Sequence, residues 1–256
     1  MKLLLIDGSN VVMRCAFGGD VPPAEASRVA TNMILRAGRE LAVTHLVLAL
    51  DCPGVPNWRK ELFPDYKANR TVDTYPWIKA AAEAWLRLGW WVEAVNGYEA
   101  DDLLATIATR AADRADVLVL SGDSDVLPLM SSRIRIVKPE NGGKFRELTG
   151  ATPYFSVTSA PERLPELKAM TGETGDNVPG VTGIGPVRAL SLLNTHGSLE
   201  GVISAGGREA CKFSKKVAEQ ADVARLSLRL VTLAKDAPVV PIQPSGCRFV
   251  TTDAHG

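Results

Sequence analysis

Short apolar runs alternate with segments of helical periodicity through the first half of the chain. The runs at residues 3–6, 46–50, 90–95, 117–120 and 133–137 have the length of buried strands and are bounded by turn residues. Helices are predicted between them, at residues 24–41, 76–88 and 101–112. Strands that alternate with helices predict a mainly parallel, doubly wound α/β sheet.

The pattern changes after residue 150, where helical segments dominate. Predicted helices at residues 161–170 and 186–193 enclose a glycine-rich connection. We therefore expect an α/β core over residues 1–150 and a helical module over residues 151–256. The module should contain a helix–hairpin–helix at about residues 161–195.

The glycine-rich connection contains Gly180, Gly183 and Gly185 and leads into a helix that begins at Pro186. Glycines at this spacing permit a tight hairpin whose amides point outward at the start of the second helix. Such amides bind phosphate without reading sequence. An ordinary glycine-rich connection would show the same spacing, so the hairpin alone does not decide between the two interpretations.

Composition narrows the class of protein. No run in the 256 residues is long enough to span a membrane, and the first apolar run is too short for a signal peptide. The four cysteines are scattered, which fits reduced thiols in a cytoplasm better than disulfides or a zinc site. The formal net charge of +0 does not exclude nucleic acid, because an acidic site and a basic surface can coexist.

Acidic residues follow four successive predicted strands. Asp7, Asp51 and the pair Asp123 and Asp125 come after the first, second and fourth strands, and Glu99 begins an acidic turn after the third. Any one of these aspartates could be an ordinary turn residue. Because the carboxyl ends of parallel strands meet at one edge of a sheet, we expect the acids to form one site.

The acidic turn places Glu99, Asp101 and Asp102 at the start of a predicted helix. One acid there is explained by the helix dipole, but three repel one another and require a positive charge nearby. Carboxylate oxygens are the ligands that Mg²⁺ and Mn²⁺ prefer. A solvated acidic helix start is the alternative, and the acids at the other strand ends favour the metal.

Together the motifs resemble one family, the 5′-nuclease or flap endonuclease family. It includes the N-terminal exonuclease domain of bacterial DNA polymerase I and stand-alone phage and bacterial nucleases. The matching stretches stand in family order across roughly residues 3–235. They are Leu5-Ile6-Asp7-Gly8-Ser9 with Arg14 behind it, Leu50-Asp51, residues 63–70, Glu99-Ala100-Asp101-Asp102, Gly122-Asp123-Ser124-Asp125 and residues 175–185.

The resemblance implies two divalent metal ions, Mg²⁺ or Mn²⁺, that activate water for attack on a phosphodiester. By resemblance, the acids around the first ion are Asp7, Asp51, Glu99, Asp101, Asp102 and Asp123. Those around the second ion are Asp123, Asp125, Glu173 and Asp176.

The resemblance also implies a PIN-like sheet with a helical arch at the basic, aromatic residues 57–75, followed by a helix–three-turn–helix that often binds K⁺. Lys67 and Arg70 would neutralise the scissile phosphate and, with Asp7, Asp51 and Asp123, form the catalytic set. The DNA-contacting residues implied are Arg14, Tyr66, Lys67, Arg70, Gly180, Val181, Gly183, Ile184, Gly185 and Arg188. For Tyr66 we favour packing within the arch over stacking on a base.

Two positions depart from the family pattern. The family usually has aspartate where Glu173 stands, which bears on the geometry of the second metal. It usually has lysine at the start of the hairpin's second helix, where this chain has Pro186-Val187-Arg188, and Arg188 is a candidate substitute.

The resulting expectation is a structure-specific 5′-3′ exonuclease or flap endonuclease. Its substrates would be DNA with 5′ flaps, 5′ ends or nicks, and RNA–DNA hybrids are a further candidate. We expect a monomer without membrane contact in the cytoplasm of a bacterial or phage-infected cell, associated with the nucleoid, either stand-alone or excised from a longer protein. A PIN-type ribonuclease and a non-catalytic binder of branched DNA are the alternatives.

Overall fold

The computed structural model describes residues 1–17, 21–207 and 211–249, with Thr152 described for its backbone only. In its described part the chain forms two compact units. The first contains Met1–Trp58, Val72–Leu148 and the residues from Ala234 onward, and the second contains Arg59–Thr71 and Thr149–Leu233. This division differs from the sequence-based one, because residues 59–71 group with the second unit and the residues from Ala234 with the first.

A six-stranded sheet forms the centre of the first unit. Its strands are β1 (Lys2–Asp7), β2 (His45–Leu50), β3 (Trp91–Ala94), β4 (Asp116–Leu120), β5 (Ile134–Pro139) and β6 (Phe145–Glu147). The strand order is β3-β2-β1-β4-β5-β6, and all pairs are parallel except β5 with β6. The predicted mainly parallel sheet is confirmed, and β6 adds an antiparallel edge.

The five predicted helices lie close to their predicted positions, and the described residues contain further helices. The helices are α1 (Gly8–Ala16), α2 (Pro23–Glu40), α3 (Trp58–Leu62), α4 (Tyr75–Arg87), α5 (Ala100–Ala111), α6 (Leu164–Thr171), α7 (Pro186–His196), α8 (Leu199–Gly206), α9 (Lys212–Glu219) and α10 (Ala221–Val231). Within the described residues, no helix is long and apolar enough to cross a membrane.

Three local expectations need correction. The residues after β1 were expected to form a turn, but α1 begins directly at Gly8 because the Asp7 side chain caps the helix by accepting the amide of Asn10. Helical structure in the arch segment is limited to α3, and turns follow over residues 64–69. The second unit also contains a strand pair, β7 (Thr152–Tyr154) with β8 (Val157–Ser159), where helices were expected to dominate and no strand was predicted.

The order of the strands determines where a site can form. The chain lays β2 and β3 on one side of β1 and then crosses to place β4 on the other side. In such sheets ligands bind beyond the carboxyl ends of the strands, where the direction of winding reverses. The reversal here lies between β1 and β4, so Asp7 and Ser121 stand at the edge where a site is expected.

Each unit buries its own apolar residues. In the first unit β1, β2 and β4 are almost wholly buried, and Trp85 of α4 packs fully buried among the helices that cover them. In the second unit Tyr66 packs with Val178 and Leu230, so the arch segment contributes to the core of that unit.

Candidate metal centre and nucleic-acid site

Asp7 ends β1 and lies at the reversal point of the sheet. Its Oδ1 accepts a hydrogen bond from the amide of Asn10 (2.9 Å), and its Oδ2 accepts one from the hydroxyl of Ser121 (2.8 Å). Burial, helped by the nearby charges of Asp51 and Asp123, raises the pKa of Asp7 to about 7, although its hydrogen bonds from Asn10 and Ser121 lower it. This carboxyl is therefore buried in negative surroundings, as a cation ligand would be.

Asp51 and Glu99 are fixed around the start of α5. The amide of Ala100 donates to Oδ1 of Asp51 (2.8 Å), so the acid after β2 holds the first turn of that helix. The side-chain amide of Asn57 donates to Oε1 of Glu99 (3.0 Å). The carboxyl ends of β2 and β3 thus supply acids to the same edge as Asp7.

Among these acids, Asp101 has the environment that most favours a bound cation. Its Oδ1 atom is buried and has no hydrogen-bond partner among the described residues. Burial, followed by the charges of Asp7, Asp123, Asp125 and Asp51, raises the pKa of Asp101 well above its ordinary value. A buried carboxylate oxygen without a donor is costly, and a hard divalent cation bound by carboxylate oxygens removes that cost. The residues present therefore fit Mg²⁺ or Mn²⁺.

The loop after β4 carries Asp123 and Asp125. The amide of Asp123 donates to Ser121 Oγ (3.1 Å), and the amide of Asp125 donates to Asp123 Oδ1 (3.0 Å). Gly122 donates its amide to Asn10 Oδ1 (3.0 Å), and a side chain at this position would come within 2.9 Å of that oxygen. The loop can approach α1 this closely because residue 122 is glycine.

Sequence reasoning missed the neutral residues that orient these acids. Ser9 accepts the Asp51 amide at its Oγ (2.9 Å), and Asn10, Asn57 and Ser121 bind the acids or their loops as described above. Ser9, Asn10 and Ser121 lie inside or beside the motifs Asp7-Gly8-Ser9-Asn10 and Gly122-Asp123-Ser124-Asp125. Their position within an acidic motif was the available signal.

Asp102 differs from the other acids of its turn, because it is fully buried and its oxygens have protein donors. Its Oδ1 accepts from the amide of Ala234 (2.8 Å). Its Oδ2 accepts from the indole of Trp58 (3.2 Å) and the amide of Glu99 (3.3 Å).

The second unit holds the other two predicted metal ligands, Glu173 and Asp176. Oε1 of Glu173 lies 2.8 Å from the ammonium of Lys168, whose side chain is 4% exposed. Asp176 is buried, forms ion pairs with Lys67 Nζ (3.6 Å) and with Arg70, and accepts from the Tyr66 hydroxyl (3.3 Å). Both acids are therefore held by cations of their own unit.

The arch residues are docked on the turn that contains Asp176. The amide of Lys67 donates to the carbonyl of Asp176 (2.9 Å), and Asn69 Nδ2 donates to the carbonyl of Thr174 (2.9 Å). In return Asn177 Nδ2 donates to the carbonyl of Asp65 (2.8 Å). Tyr66 is buried beneath this contact, which favours packing over base stacking.

The glycine-rich hairpin between α6 and α7 presents a basic surface. Arg188 Nη1 donates to the carbonyl of Gly183 (3.3 Å) and its guanidinium lies 4.3 Å from the ring centroid of Phe213. The ammonium of Lys216 lies so close to Gly183 that a Cβ there would come within 2.9 Å of it. Arg188 and Lys216 therefore place two positive charges beside the hairpin.

Fewer of the hairpin's backbone amides can bind phosphate than the sequence predicted, because some of them already donate to other groups. The amide of Thr182 donates to Gln220 Oε1 (3.0 Å), and that of Ile184 donates to the carbonyl of Val181 (3.0 Å). The side chains of Val181 and Ile184 are buried. Gly180 is packed against the backbone of Thr171, where a Cβ would come within 2.5 Å. Contact with phosphate would therefore fall to the remaining backbone and the cations.

The last predicted DNA contact, Arg14, lies near the end of α1 in the first unit. Its Nη2 donates to Asn141 Oδ1 (3.3 Å) in an exposed position. The side chain is therefore placed on the surface, where a phosphate could replace Asn141.

Comparison with known families decides what kind of protein carries this site. A family model described as the N-terminal resolvase-like domain of 5′-3′ exonuclease matches residues 2–153, and one described as the C-terminal SAM fold of 5′-3′ exonuclease matches residues 159–255. The chain belongs to the 5′-3′ exonuclease family. It is 34% identical to a 5′-3′ exonuclease of Bacillus subtilis in an alignment of 213 residues that covers 78% of this chain and 72% of that protein.

The chain is also similar to part of a longer protein and to solved structures of about its own length. It is 31% identical to DNA polymerase I of Mycobacterium leprae over 256 residues, covering 93% of this chain but 27% of the polymerase. The 5′-exonuclease of phage T5 with bound zinc has the same fold, with a TM-score of 0.75, 21% identity and coverage of 90% of this chain and 89% of that chain. A T5 D15 flap endonuclease in complex with DNA and metal ions gives a TM-score of 0.73 at 21% identity, covering 90% and 89% of the two chains.

Proposed function

We propose that this 5′-3′ exonuclease hydrolyses phosphodiester bonds of DNA at 5′ ends, nicks and 5′ flaps, and that its first unit binds the divalent metal. The observation that carries the proposal is the buried Oδ1 of Asp101, which has no hydrogen-bond partner among the described residues. Its pKa is raised, as is that of Asp7, at the reversal point of the sheet. A cation bound at this edge of the sheet would stabilise the ionised forms of both carboxylates at once.

The proposed cation ligands in the first unit are Asp7, Asp51, Glu99, Asp101 and Asp123. Mg²⁺ or Mn²⁺, when bound, lowers the pKa of water and stabilises negative charge on a reacting phosphate. The neutral donors Asn10, Asn57 and Ser121 orient the carboxylates that receive the ion. A second ion on Asp123, Asp125, Glu173 and Asp176 stays a prediction from the family resemblance, as does K⁺ at the hairpin.

The cations of the second unit bind the substrate in this proposal. Lys67 and Arg70 neutralise the scissile phosphate, and a phosphate would compete with Asp176 for them. The hairpin binds duplex backbone through Arg188, Lys216 and the glycine backbone, without reading sequence. The chain would act as a monomer in the cytoplasm, at the nucleoid, and RNA–DNA hybrids are proposed as a second substrate.

One experiment separates this function from the alternatives. A 5′-flap DNA labelled at its 5′ end, its nicked counterpart and a single-stranded RNA of the same sequence are incubated with the protein in Mg²⁺ or in EDTA. We expect Mg²⁺-dependent cleavage of both DNA substrates and far slower cleavage of the RNA. Preferential RNA cleavage would indicate a PIN-type ribonuclease. Binding of the flap without cleavage would indicate a non-catalytic binder of branched DNA.

A further inference from the structure

Asp102 makes contacts that do not suit a metal ligand. A carboxylate has about four lone-pair positions, and that of Asp102 accepts N–H donors from Ala234, Trp58 and Glu99. Asp101, its neighbour in the chain, has instead a buried Oδ1 without such a partner among the described residues. Of two adjacent acids in one turn, Asp102 therefore has protein hydrogen-bond donors on both oxygens, whereas Asp101 has a buried oxygen without one in the described part of the chain.

Two of the donors to Asp102, Trp58 and Ala234, lie at two of the four points where the chain changes units. Trp58 ends the first of the three segments that form the first unit, and Ala234 begins the last of them. Trp58 and Ala234 are 176 positions apart in the sequence. A single buried carboxylate thus binds the end of the first segment and the start of the last segment to the acid turn.

The returning chain is also bound further along α5. Asp102, Thr106 and Arg110 are spaced by four residues and share one face of the helix. Thr106 accepts the amide of Ala237 at its Oγ1 (3.2 Å), and Arg110 Nη2 donates to the carbonyl of Ala237 (3.2 Å). The contact of Asp102 with Ala234 is therefore the first in a row of contacts along α5.

The residues next to these two points are fixed as well, within the second unit. Arg59 is 1% exposed, and its Nε donates to the carbonyl of Leu230 (2.7 Å). Its Nη2 donates to the carbonyl of Thr232 (3.3 Å), so the guanidinium binds the C-terminal end of α10. Near these two of the four crossings, a buried charged residue binds the chain within each unit, Asp102 in the first and Arg59 in the second.

We propose that Asp102 is a positioning residue and not a metal ligand. It fastens the acid turn to Trp58 and Ala234 and so determines where Glu99 and Asp101 present their carboxylates. The inference rests on the proposed function only in assuming that the first unit binds a divalent ion. It departs from the family resemblance, which placed Asp102 around the first metal.

The first test compares Asp102→Asn with Asp101→Asn in the full chain without DNA, using Mn²⁺ binding and thermal unfolding in EDTA. Asp101→Asn should lose a bound ion and keep or raise its metal-free melting temperature, because a repelling charge is removed. Asp102→Asn should keep the stoichiometry, bind Mn²⁺ about tenfold more weakly, as is typical when a supporting partner is lost, and melt earlier. If Asp102→Asn loses the ion and melts later, the positioning role is wrong.

Trp58→Phe provides the second test, because it removes one donor to Asp102 and leaves every acid in place. A positioning role predicts weaker Mn²⁺ binding at unchanged stoichiometry. A ligand role predicts unchanged or tighter binding, since an oxygen lone pair is released. This variant decides the question even if Asp102→Asn does not fold. If the wild-type protein binds no Mn²⁺, the proposed function itself is wrong. If the wild-type protein binds Mn²⁺ and Trp58→Phe binds it equally well or more tightly, only the role of Asp102 is wrong.

Discussion

Lys168 places its ammonium 2.8 Å from Oε1 of Glu173, one of the acids predicted to bind the second metal ion. The lysine side chain is 4% exposed and the glutamate side chain 29% exposed. A buried lysine requires a counterion, because an unpaired charge in the protein interior is costly. Glu173 therefore has a structural task whether or not a metal binds beside it.

Glu173→Gln should reduce both stability and activity. Loss of the counterion should cost about 1–3 kcal/mol, less than for a fully buried pair because Glu173 is partly exposed. Cleavage should fall about 10- to 100-fold, as for the loss of an outer-shell partner, with partial recovery at high Mg²⁺. Glu173→Asp should remain active. Thermal unfolding in EDTA and cleavage rates across a Mg²⁺ titration measure the two effects.

The double variant Lys168→Met with Glu173→Gln separates the two tasks of Glu173. Replacing both charges should restore most of the stability lost in Glu173→Gln, because no unpaired charge remains, while cleavage stays impaired. A Glu173→Gln protein with wild-type melting temperature and a superimposable Mg²⁺ titration would remove Glu173 from both roles.

Asp123→Asn should abolish cleavage by orders of magnitude while DNA binding survives or tightens. The residue lies in the loop after β4 among the acids proposed to bind metal, and its charge also repels phosphate. Flap cleavage in Mg²⁺ and fluorescence anisotropy with labelled DNA in EDTA measure the two quantities. Asp113→Asn, an exposed acid between α5 and β4, is the matched control and should behave as wild type. A wild-type cleavage rate for Asp123→Asn would refute the site.

The raised pKa of Asp7 predicts how metal-free stability depends on pH. The pKa is about 7 in the folded protein against 3.8 for an ordinary aspartate, so between these values the folded state holds a proton that the unfolded state has lost. The contribution is fully present below about pH 4 and is lost as the pH rises through 7. Asp7→Asn, which stays neutral, should therefore stabilise the metal-free protein more at pH 8 than at pH 5.

Thermal unfolding in EDTA at the two pH values tests this dependence on Asp7. Addition of Mg²⁺ should stabilise wild type at pH 8 and Asp7→Asn far less, because the ion replaces the proton. An effect of Asp7→Asn that is the same at both pH values would contradict the pKa assignment.

The arch cations and the hairpin should affect different steps. Lys67→Ala and Arg70→Ala should lower the single-turnover rate more than affinity, because both are proposed to act on the scissile phosphate. Lys79→Ala in α4 removes the same charge outside the site and is the control. Normal rates with reduced affinity for Lys67→Ala would contradict this role.

Gly183→Ala should instead weaken duplex binding. Gly183 has φ of +81°, and a Cβ would displace the ammonium of Lys216. Gly89→Ala is the matched control, since Gly89 has φ of +73° and open space around its Cβ position. Binding of a duplex by anisotropy should fall for Gly183→Ala and remain unchanged for Gly89→Ala. Equal binding by both variants would exclude the hairpin from the interface.

The sequence by itself determined the parallel sheet and the edge at which its acids gather. Strand periodicity and the rule that parallel strands end at one edge involve residues that are close in the chain, so Asp7, Asp51 and Asp123 could be grouped without coordinates. The start of α1 was missed because Asp7-Gly8-Ser9-Asn10 has the composition of a turn, and capping by Asp7 turns it into a helix.

Only the tertiary structure decided which acids have protein partners. Asp102 meets Trp58 and Ala234, and Asp176 meets Lys67 and Arg70, across separations of 44 to 132 residues. The periodicity of the sequence does not predict such contacts, because they depend on which distant segments the folded backbone brings together. Identical carboxylates in one motif thus differ in role, since burial and hydrogen-bond donors, which folding supplies, decide whether an oxygen binds an amide or a cation.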